Sequence, residues 1–203
     1  DLLDLACTVA STDVLSGGRV VFGIGVGWNK EELANHRPDL EFSLRYSAMR
    51  ERVAALRTIW SEDEPSFEGR WDSFSKSWVY PKPPSGSVPI ALGNAGPLGI
   101  KHAAEYADEW CPIDVGVVTD GKPDVVSGIK RFRELATEAG RDAESIPISL
   151  FVWGQPRIDR LEAYAEAGVS QFVFTPVHFD LPTADETLRY LDELTPMLDA
   201  FNG

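Results

Sequence analysis

The stretch Arg19-Val-Val-Phe-Gly-Ile-Gly-Val-Gly27 decides the fold class of this chain. It is a near-continuous apolar run bounded by glycines, which is typical of a strand buried on both faces in a parallel sheet. Its alternation is unusual, because Gly23, Gly25 and Gly27 share one face of an extended strand and leave that face without side chains. The pattern therefore predicts a β-strand beside open space that another group must fill.

The rest of the chain alternates strands with helices in a regular order. A helix precedes the glycine strand and ends at Gly17-Gly18, which is a left-handed C-cap signal. Each of the predicted strands is followed by a helix. The strands are predicted over 19–27, 88–92, 109–113, 147–152 and 171–175, and the helices over 43–61, from 97, 123–139, 156–167 and 183–201. Aromatic residues around a turn at Gly69 predict an inserted hairpin near 66–80.

This order of elements predicts an α/β protein with a parallel sheet. Five strands could complete a doubly wound sheet, whereas a (β/α)8 barrel of about 250 residues would need three further units. Periodicity alone leaves both architectures open. The chain of 203 residues starts at Asp1, inside a helix and without Met. We therefore expect a fragment of a longer chain, with residues 1–203 forming one partial domain.

Composition argues against several classes of partner. The 19 basic and 32 acidic residues give a net charge of −13 and a pI near 4.6, which repels phosphate backbones and anionic lipids. No apolar stretch of the sequence is long enough to span a bilayer, so we expect neither nucleic acid nor a membrane as partner. Cys7 and Cys111 lack disulfide-framework or zinc-site spacing, which makes a reducing cytoplasm the expected location.

Two glycine-rich turns follow predicted strands and are candidate ligand sites, Gly25–Glu31 and Gly93–Gly99. Ligands of parallel α/β proteins collect at the carboxyl ends of strands, where a backbone without side chains admits a flat ring or a phosphate. In the second turn, Pro97 suits the start of a helix, and the small residues before it leave N–H groups aimed at an anion. Packing against a bulky neighbour, or a tight turn with positive φ, would explain the same glycines without a ligand.

The other motifs are weaker or absent. Gly116–Pro123 nearly matches a P-loop, but Pro123 stands where a Ser or Thr would ligate Mg²⁺, so a solvent loop and a helix start are predicted. Lys30 breaks the dinucleotide fingerprint after the glycine strand. Because no nucleophile elbow or zinc-binding helix motif occurs, the catalytic residues stay unassigned and no metal is expected. Asp114 and His178 follow predicted strands and are candidate substrate contacts.

Taken together, several segments resemble one known family. They are Asp13–Arg19, Gly23–Asn29, Phe67–Gly69, Pro81–Pro83, Gly93–Pro97 and Ala107–Trp110. In this order they cover nearly the whole chain and are similar to the luciferase-like monooxygenase superfamily. Within it, the sequence looks closest to the oxidoreductases that depend on the deazaflavin coenzyme F-420.

The resemblance implies a (β/α)8 TIM barrel of the luciferase-like type, of which this chain covers about the last five βα units. It implies coenzyme F-420 as cofactor, with FMN as the alternative. The ring would lie across the carboxyl end of the barrel against Val26, Gly27 and Glu31. Backbone amides of the second turn would hold the cofactor's phosphate. The residues of that phosphate cradle would be Asn94, Ala95, Gly96, Leu98 and Gly99. Family members are often dimers, so a homodimer is one expected state, and catalytic acid–base groups are expected in the preceding part of the barrel.

Two hypotheses of function remain open. The first is an oxidoreductase that transfers hydride or activates O₂ with a reduced flavin, acting on an unidentified small organic substrate. Its substrate contacts are expected near Trp28, Asp114 and His178. The second is a non-catalytic binding or assembly protein on the same scaffold, with the aromatic residues of the inserted hairpin as an interaction surface. Those aromatic residues are Trp71, Phe74, Trp78 and Tyr80.

Overall fold

The computed structural model describes residues 1–119, 121–153, 156–174 and 183–202. The helices are α1 (Leu2–Ser16), α2 (Lys30–His36), α3 (Arg45–Ser61), α4 (Pro97–Tyr106), α5 (Val125–Glu138), α6 (Ile158–Glu166) and α7 (Ala184–Asn202). The strands are β1 (Phe22–Ile24), β2 (Phe67–Glu68), β3 (Ser73–Phe74), β4 (Ile90–Leu92), β5 (Glu109–Trp110), β6 (Val118–Thr119), β7 (Lys122–Pro123), β8 (Ser149–Val152) and β9 (Gln171–Phe174). Short 3-10 helices cover Phe42–Leu44, Asp114–Gly116 and Ala143–Ser145.

The order of the parallel strands decides between the two architectures. Strands β1, β4 and β5 are hydrogen-bonded in that order, and β8 pairs with β9. Parallel bridges from Trp110 to Ile148 and from Ile113 to Phe151 connect β5 to β8. Each of these strands therefore lies beside the parallel strand that precedes it in the chain. A doubly wound sheet reverses its order at a switch point, whereas a barrel does not, so the prediction of a partial barrel is confirmed.

The two faces of the sheet differ in what covers them. Trp110 is fully buried and stacks on Phe132 of α5, with ring centroids 4.7 Å apart, so its side of the sheet faces the helices. Because side chains alternate along a strand, the neighbouring positions Gly23, Ala91 and Glu109, which are in register with one another, point to the opposite side. We call this side the inner face, since it corresponds to the inside of the barrel.

The glycine strand is shorter than predicted. Extended pairing was expected over 19–27, but β1 covers only Phe22–Ile24. At its start, the Asp13 carboxylate accepts the Val20 N–H at 3.1 Å, which ties that residue to the end of α1 and not to another strand. At its end, Gly27 adopts φ +70°, which turns the chain away. Local hydrogen bonds and a positive φ thus limit the strand on both sides.

Two further elements differ from the sequence prediction. Helix α2 was not predicted, and it begins because the Asn29 side chain accepts the N–H groups of Glu31 and Glu32 at 2.9 and 3.2 Å. Strands β6 and β7 form a small antiparallel pair where a solvent loop was expected. Gly121, which directly precedes β7, has φ +77°, a conformation that glycine adopts without strain.

A short antiparallel strand pair lies within the segment 66–80. Strands β2 and β3 are antiparallel, and the rings of Phe67 and Phe74 are stacked 6.3 Å apart. Trp71 and Phe74 are half-buried, whereas Trp78 and Tyr80 are 81% and 54% exposed. A role of the hairpin as an interaction surface stays a prediction, as does the assignment of the whole chain to one domain. In the described ranges, no helix is both long and apolar enough to cross a membrane.

Candidate functional site

The first glycine end of the sheet is the segment Gly25–Gly27, which follows β1. A Cβ atom added at Gly25 or Gly27 would meet no heavy atom within 4 Å, so the protein does not fill this space. The side chain of Val26 lines a cavity of about 230 Å³ on the helix side of the strand, together with Phe22 and Ile24. Only the backbone of Val26 is therefore left to border the opening on the inner face.

The segment that follows this strand end is stabilised by a hydrogen bond from α3 and by the N-cap of α2. Arg45 donates from Nε to the Gly27 carbonyl at 3.3 Å and from Nη1 to Phe42 O at 2.8 Å. The Asn29 cap places Glu31 in the first turn of α2, with its side chain exposed to solvent. Trp28 is 86% exposed. Glu31 and Trp28 thus lie next to the opening in sequence, and their contacts with cofactor and substrate stay predictions.

The second glycine end leads into the segment Asn94–Gly99, which we call the cradle turn. Gly96 is the N-cap of α4, no side chain caps the helix there, and Pro97 occupies the first turn. Since the first N–H groups of a helix have no partner within it, those of Leu98 and Gly99 face outward from the helix end. A Cβ added at Gly96 would meet nothing within 4 Å. The helix terminus is therefore open to an anion.

Asn94 is the buried polar group of the cradle turn. It is 5% exposed, and its carbonyl accepts the Trp110 indole N–H at 2.7 Å. Its side-chain Nδ2 is buried and has no hydrogen-bond partner among the described residues. Gly99 packs directly against it, because a Cβ at Gly99 would lie 2.6 Å from the Asn94 Cβ. The turn thus holds a buried amide donor that lacks an acceptor, a state that costs about 1–3 kcal/mol.

The two glycine ends are neighbours at one edge of the sheet. The Gly93 N–H donates to the Ile24 carbonyl at 3.0 Å, which continues the β1–β4 pairing beyond the strands themselves. A Cβ at Gly93 would lie 3.6 Å from the Cys111 carbonyl, so the backbone of the next strand is close on the other side. In the part of the chain that the structure describes, no bulky side chain fills the space beside Gly25 or Gly96.

The opposite end of α4 is closed by the protein. The Arg141 guanidinium donates from Nη1 to the Ala104 carbonyl at 2.8 Å and from Nη2 to the Ala107 carbonyl at 2.5 Å. A cation at a helix C-terminus satisfies the last carbonyls and complements the helix dipole. Helix α4 is therefore capped by a side chain at its C-terminal end and left open at its N-terminal end.

Of the two remaining candidate residues, Asp114 and His178, the structure describes only Asp114. Asp114 is 1% exposed, and its Oδ1 accepts the N–H groups of Val115 and Trp153 at 2.7 and 3.0 Å. Its Oδ2 lies 3.7 Å from Nη2 of Arg160. The carboxylate thus joins the loop after β5 to the end of β8, and direct contact with a substrate stays a prediction. His178 lies outside the described residues.

Two residues of the inner face are not among the predicted site residues. Glu109 and Cys111 flank the buried Trp110, and the Cys111 thiol donates to Glu109 Oε1 at 3.4 Å. Burial, reinforced by the Glu109 carboxylate, raises the pKa of Cys111 to about 12, so the thiol is neutral at pH 7. The alternation of polar and apolar residues around Trp110 was the available signal, since it separates the two faces of β5.

The strand order defines the class of protein, a parallel β/α barrel of which this chain forms a part, with open glycine positions at the carboxyl ends of β1 and β4. The family model of luciferase-like monooxygenase matches residues 3–196, and the chain belongs to this family. The resemblance found in the sequence is therefore confirmed.

The relatives are longer than this chain. The uncharacterized protein Rv0953c of Mycobacterium tuberculosis is 33% identical over 201 residues, which are 98% of this chain and 66% of that protein. An F-420-dependent glucose-6-phosphate dehydrogenase of Mycolicibacterium fortuitum is 30% identical over 147 residues, or 70% of this chain and 42% of that enzyme. The fold is similar to a solved structure, an F-420-dependent secondary alcohol dehydrogenase in complex with an F-420–acetone adduct, with a TM-score of 0.69. The match covers 86% of this chain and 69% of that one, at 20% sequence identity.

Proposed function

We propose that this chain forms the cofactor-binding part of an oxidoreductase that uses coenzyme F-420 and acts on a small organic substrate. The observation that carries the proposal is the pair of adjacent strand ends, Gly25–Gly27 and Gly93, whose inner faces carry no side chain. A surface without side chains allows a planar ring to approach the backbone closely. Two of the relatives named above depend on the same coenzyme, which supports this choice over FMN.

The cradle turn fits the phosphate of the coenzyme. The N–H groups of Leu98 and Gly99 stand at an uncapped helix N-terminus, where backbone donors and the helix dipole favour negative charge. The buried Nδ2 of Asn94 needs an acceptor, and phosphate oxygens at the turn would supply one. Gly96 keeps the approach free of side chains. Ala95 completes this predicted set and is half-buried in the turn.

The chemistry of the reaction belongs to the coenzyme, and the chain contributes binding and orientation. When bound, F-420 supplies a planar ring that accepts or gives up a hydride. Val26 and Gly27 would support the ring through their backbone, with Glu31 at the start of the following helix. Trp28, Asp114 and His178 are the proposed substrate contacts. No acid–base residue is assigned within this chain.

The experiment is a calorimetric titration of the full-length protein that contains this chain, with F-420 and with FMN as ligands. We expect saturable binding of F-420, and Asn94→Asp should weaken it by about tenfold or more, because a carboxylate replaces the amide donor and repels the phosphate. The matched control is Asn35→Asp, which adds the same charge at an exposed position of α2. Thermal unfolding of both variants shows whether each is folded.

Each result has a defined meaning. Saturable binding of FMN without F-420 would favour the flavin alternative. Absence of binding of either compound up to millimolar concentration would overturn the proposal. In that case the non-catalytic alternative gains support, and the exposed Trp78 and Tyr80 of the hairpin become the surface to test for a partner. Equal affinities of Asn94→Asp and Asn35→Asp would remove the cradle turn from the binding site.

A further inference from the structure

A cavity of about 260 Å³ lies beside the second glycine end. Its described lining consists of Gly93, Cys111, Ile113, Phe151 and Trp153. Phe151 and Trp153 remain 37% and 40% exposed, so they present aromatic surface to the cavity and to solvent. Ligand sites in proteins range from about 300 to 1,000 Å³, and this volume is suited to a small molecule or to one part of a larger one.

The position of the cavity connects it with the proposed cofactor site. Gly93 lines the cavity and directly precedes the cradle turn. Bridging between Ile113 and Phe151 brings β5 and β8 together at this level of the sheet. A molecule in the cavity would therefore lie next to the surface on which the ring is proposed to rest.

The electrostatics of the cavity oppose an anionic ligand. None of the described lining residues carries a cationic side chain. The thiol of Cys111 is neutral at pH 7 and donates to the carboxylate of Glu109 at 3.4 Å, so an acidic group directly contacts one wall of the cavity. A phosphate group entering here would meet that negative charge, with no cationic side chain among the described lining residues to compensate it, and the chain's net charge of −13 acts in the same direction.

Arg160 is a cation close to the Trp153 wall of the cavity through its contact with Asp114, and its guanidinium already has partners. Arg160 lies 3.7 Å from the Asp114 carboxylate and donates to the Tyr164 hydroxyl at 2.7 Å. Asp114 in turn accepts the backbone N–H of Trp153 at 3.0 Å. These contacts fix the backbone of Trp153, whose ring forms one wall of the cavity. They also orient the Arg160 guanidinium towards Asp114 and Tyr164.

We infer that the part of the substrate lying against β5 and β8 is uncharged and apolar, as in a cyclic or aromatic alcohol or ketone without a phosphate group. The inference rests on the proposed function, because it places the substrate beside the proposed ring site. It goes beyond that function by excluding sugar phosphates from this surface. Apolar contact with Ile113, Phe151 and Trp153 supplies the affinity, and Glu109 supplies discrimination against anions.

Cys111 provides a readout that does not depend on activity. The chain has two cysteines, so a Cys7→Ala variant leaves Cys111 as the single thiol. The rate of its modification by the uncharged reagent 4,4′-dithiodipyridine is measured with increasing cyclohexanone or increasing glucose 6-phosphate. At a concentration about ten times its Kd, cyclohexanone should slow the modification about tenfold, and glucose 6-phosphate should not.

Two variants test whether protection arises in the cavity. Phe151→Ala, in the same Cys7→Ala background, should reduce protection by cyclohexanone about fivefold, and Phe151→Leu should restore most of it, because apolar contact is retained. The matched control is Trp78→Ala, which truncates an aromatic side chain of the hairpin that is 81% exposed and should leave protection unchanged.

The outcomes separate this inference from the proposed function. Protection by glucose 6-phosphate that equals or exceeds that by cyclohexanone would overturn the inference. Binding of F-420 with no protection by cyclohexanone would also overturn it, while the proposed function would stand. Protection by cyclohexanone in a chain that binds neither F-420 nor FMN would support an apolar site and overturn the proposed function.

Discussion

Two turns of this chain have consecutive backbone N–H groups that are free to donate hydrogen bonds outside the turn. The two turns differ in whether the protein provides the acceptor. In the hairpin turn, residues 70–72, the N–H groups of Arg70, Trp71 and Asp72 donate to the Glu51 carboxylate at 2.9, 2.6 and 2.9 Å. In the cradle turn, the helix N-terminus at Gly96 has no side-chain acceptor. The protein thus supplies its own anion to one turn and leaves the other open to an external one.

The two turns differ because different parts of the protein pack beside them. The hairpin turn packs against α3, from which Glu51 projects, and the adjacent Arg52 pairs with Asp72 through two hydrogen bonds of 2.8 and 3.0 Å. The cradle turn consists of Asn, Ala, Gly, Pro and Leu residues, none of which is acidic. It lies at the end of a strand where the neighbouring positions are glycines and have no side chains. Structural turns are closed by internal charge, whereas an open turn at a strand end is available for a ligand.

The largest effect is expected from giving the cradle turn an anion of its own. Gly96→Asp should lower the affinity for F-420 about 100-fold, equivalent to about 2.7 kcal/mol, because its carboxylate takes the N–H groups and repels the phosphate. The same change should raise the free energy of unfolding by a few tenths of a kcal/mol, since Asp is a better N-cap than Gly. Calorimetric titration and urea unfolding measure the two quantities.

Gly96→Ala is the control for this exchange. The φ of Gly96 is −75°, and an added Cβ meets nothing within 4 Å, so alanine fits without an acceptor or a charge. Its affinity for F-420 should stay within about threefold of the wild-type value. If the two variants bound F-420 equally well, the cradle turn would not be the phosphate site.

The second effect comes from removing the internal anion of the hairpin turn. Glu51→Ala should lower the free energy of unfolding by about 2 kcal/mol, because three backbone N–H groups lose a charged acceptor. Urea unfolding measures the change. Glu162→Ala, which removes an exposed carboxylate from α6, should change the same quantity by less than about 0.5 kcal/mol. Equal losses in both variants would show that water replaces Glu51 at no cost.

The smallest effect is a pH dependence of the same contact. Burial raises the pKa of Glu51, but the N–H groups of Trp71, Asp72 and Arg70 more than offset this, and the net pKa is lowered from its ordinary value of 4.5. The folded chain therefore binds this proton less readily than the unfolded chain. The stabilisation by Glu51 is full above pH 4.5 and is lost as the pH falls through its lower pKa in the folded state.

Glu51→Gln tests this sign. The variant should be less stable than the wild type by about 1 kcal/mol at pH 7, since a neutral acceptor replaces a charged one. The difference should shrink as the pH is lowered from about 5 to about 3.5, because Glu51 becomes protonated. Urea unfolding at a series of pH values measures it, and a difference that stays constant over this range would contradict the assignment.

Much of the fold could be predicted from the sequence, because its signals are local. The apolar run ending at Gly27 and the Pro97 helix start both follow from residue type and spacing. The limits of β1 could not be predicted, since the bond from Val20 to Asp13 depends on how α1 returns to the strand. Helix α2 was missed although Asn29 is a typical N-cap, because the helix is short and none of its residues is buried.

The candidate site was predicted only in part. The glycines and the cradle turn were recognisable, since missing side chains are visible in a sequence. The inner-face cavity was not, because it requires the register that brings Ile113 opposite Phe151 across a long stretch of chain. The contact of the Glu51 carboxylate with the hairpin turn likewise joins residues about twenty positions apart, and no local sequence pattern indicates it.

The sequence by itself determined the series of strands and helices and the places where backbone is left bare, because both depend on the period and identity of neighbouring residues. Only the tertiary structure decided that the bare ends are adjacent, that Asn94 is buried without an acceptor, and that Glu109 and Cys111 face inward. Those facts depend on strand order and register, which are set by the packing of side chains that are distant in the chain.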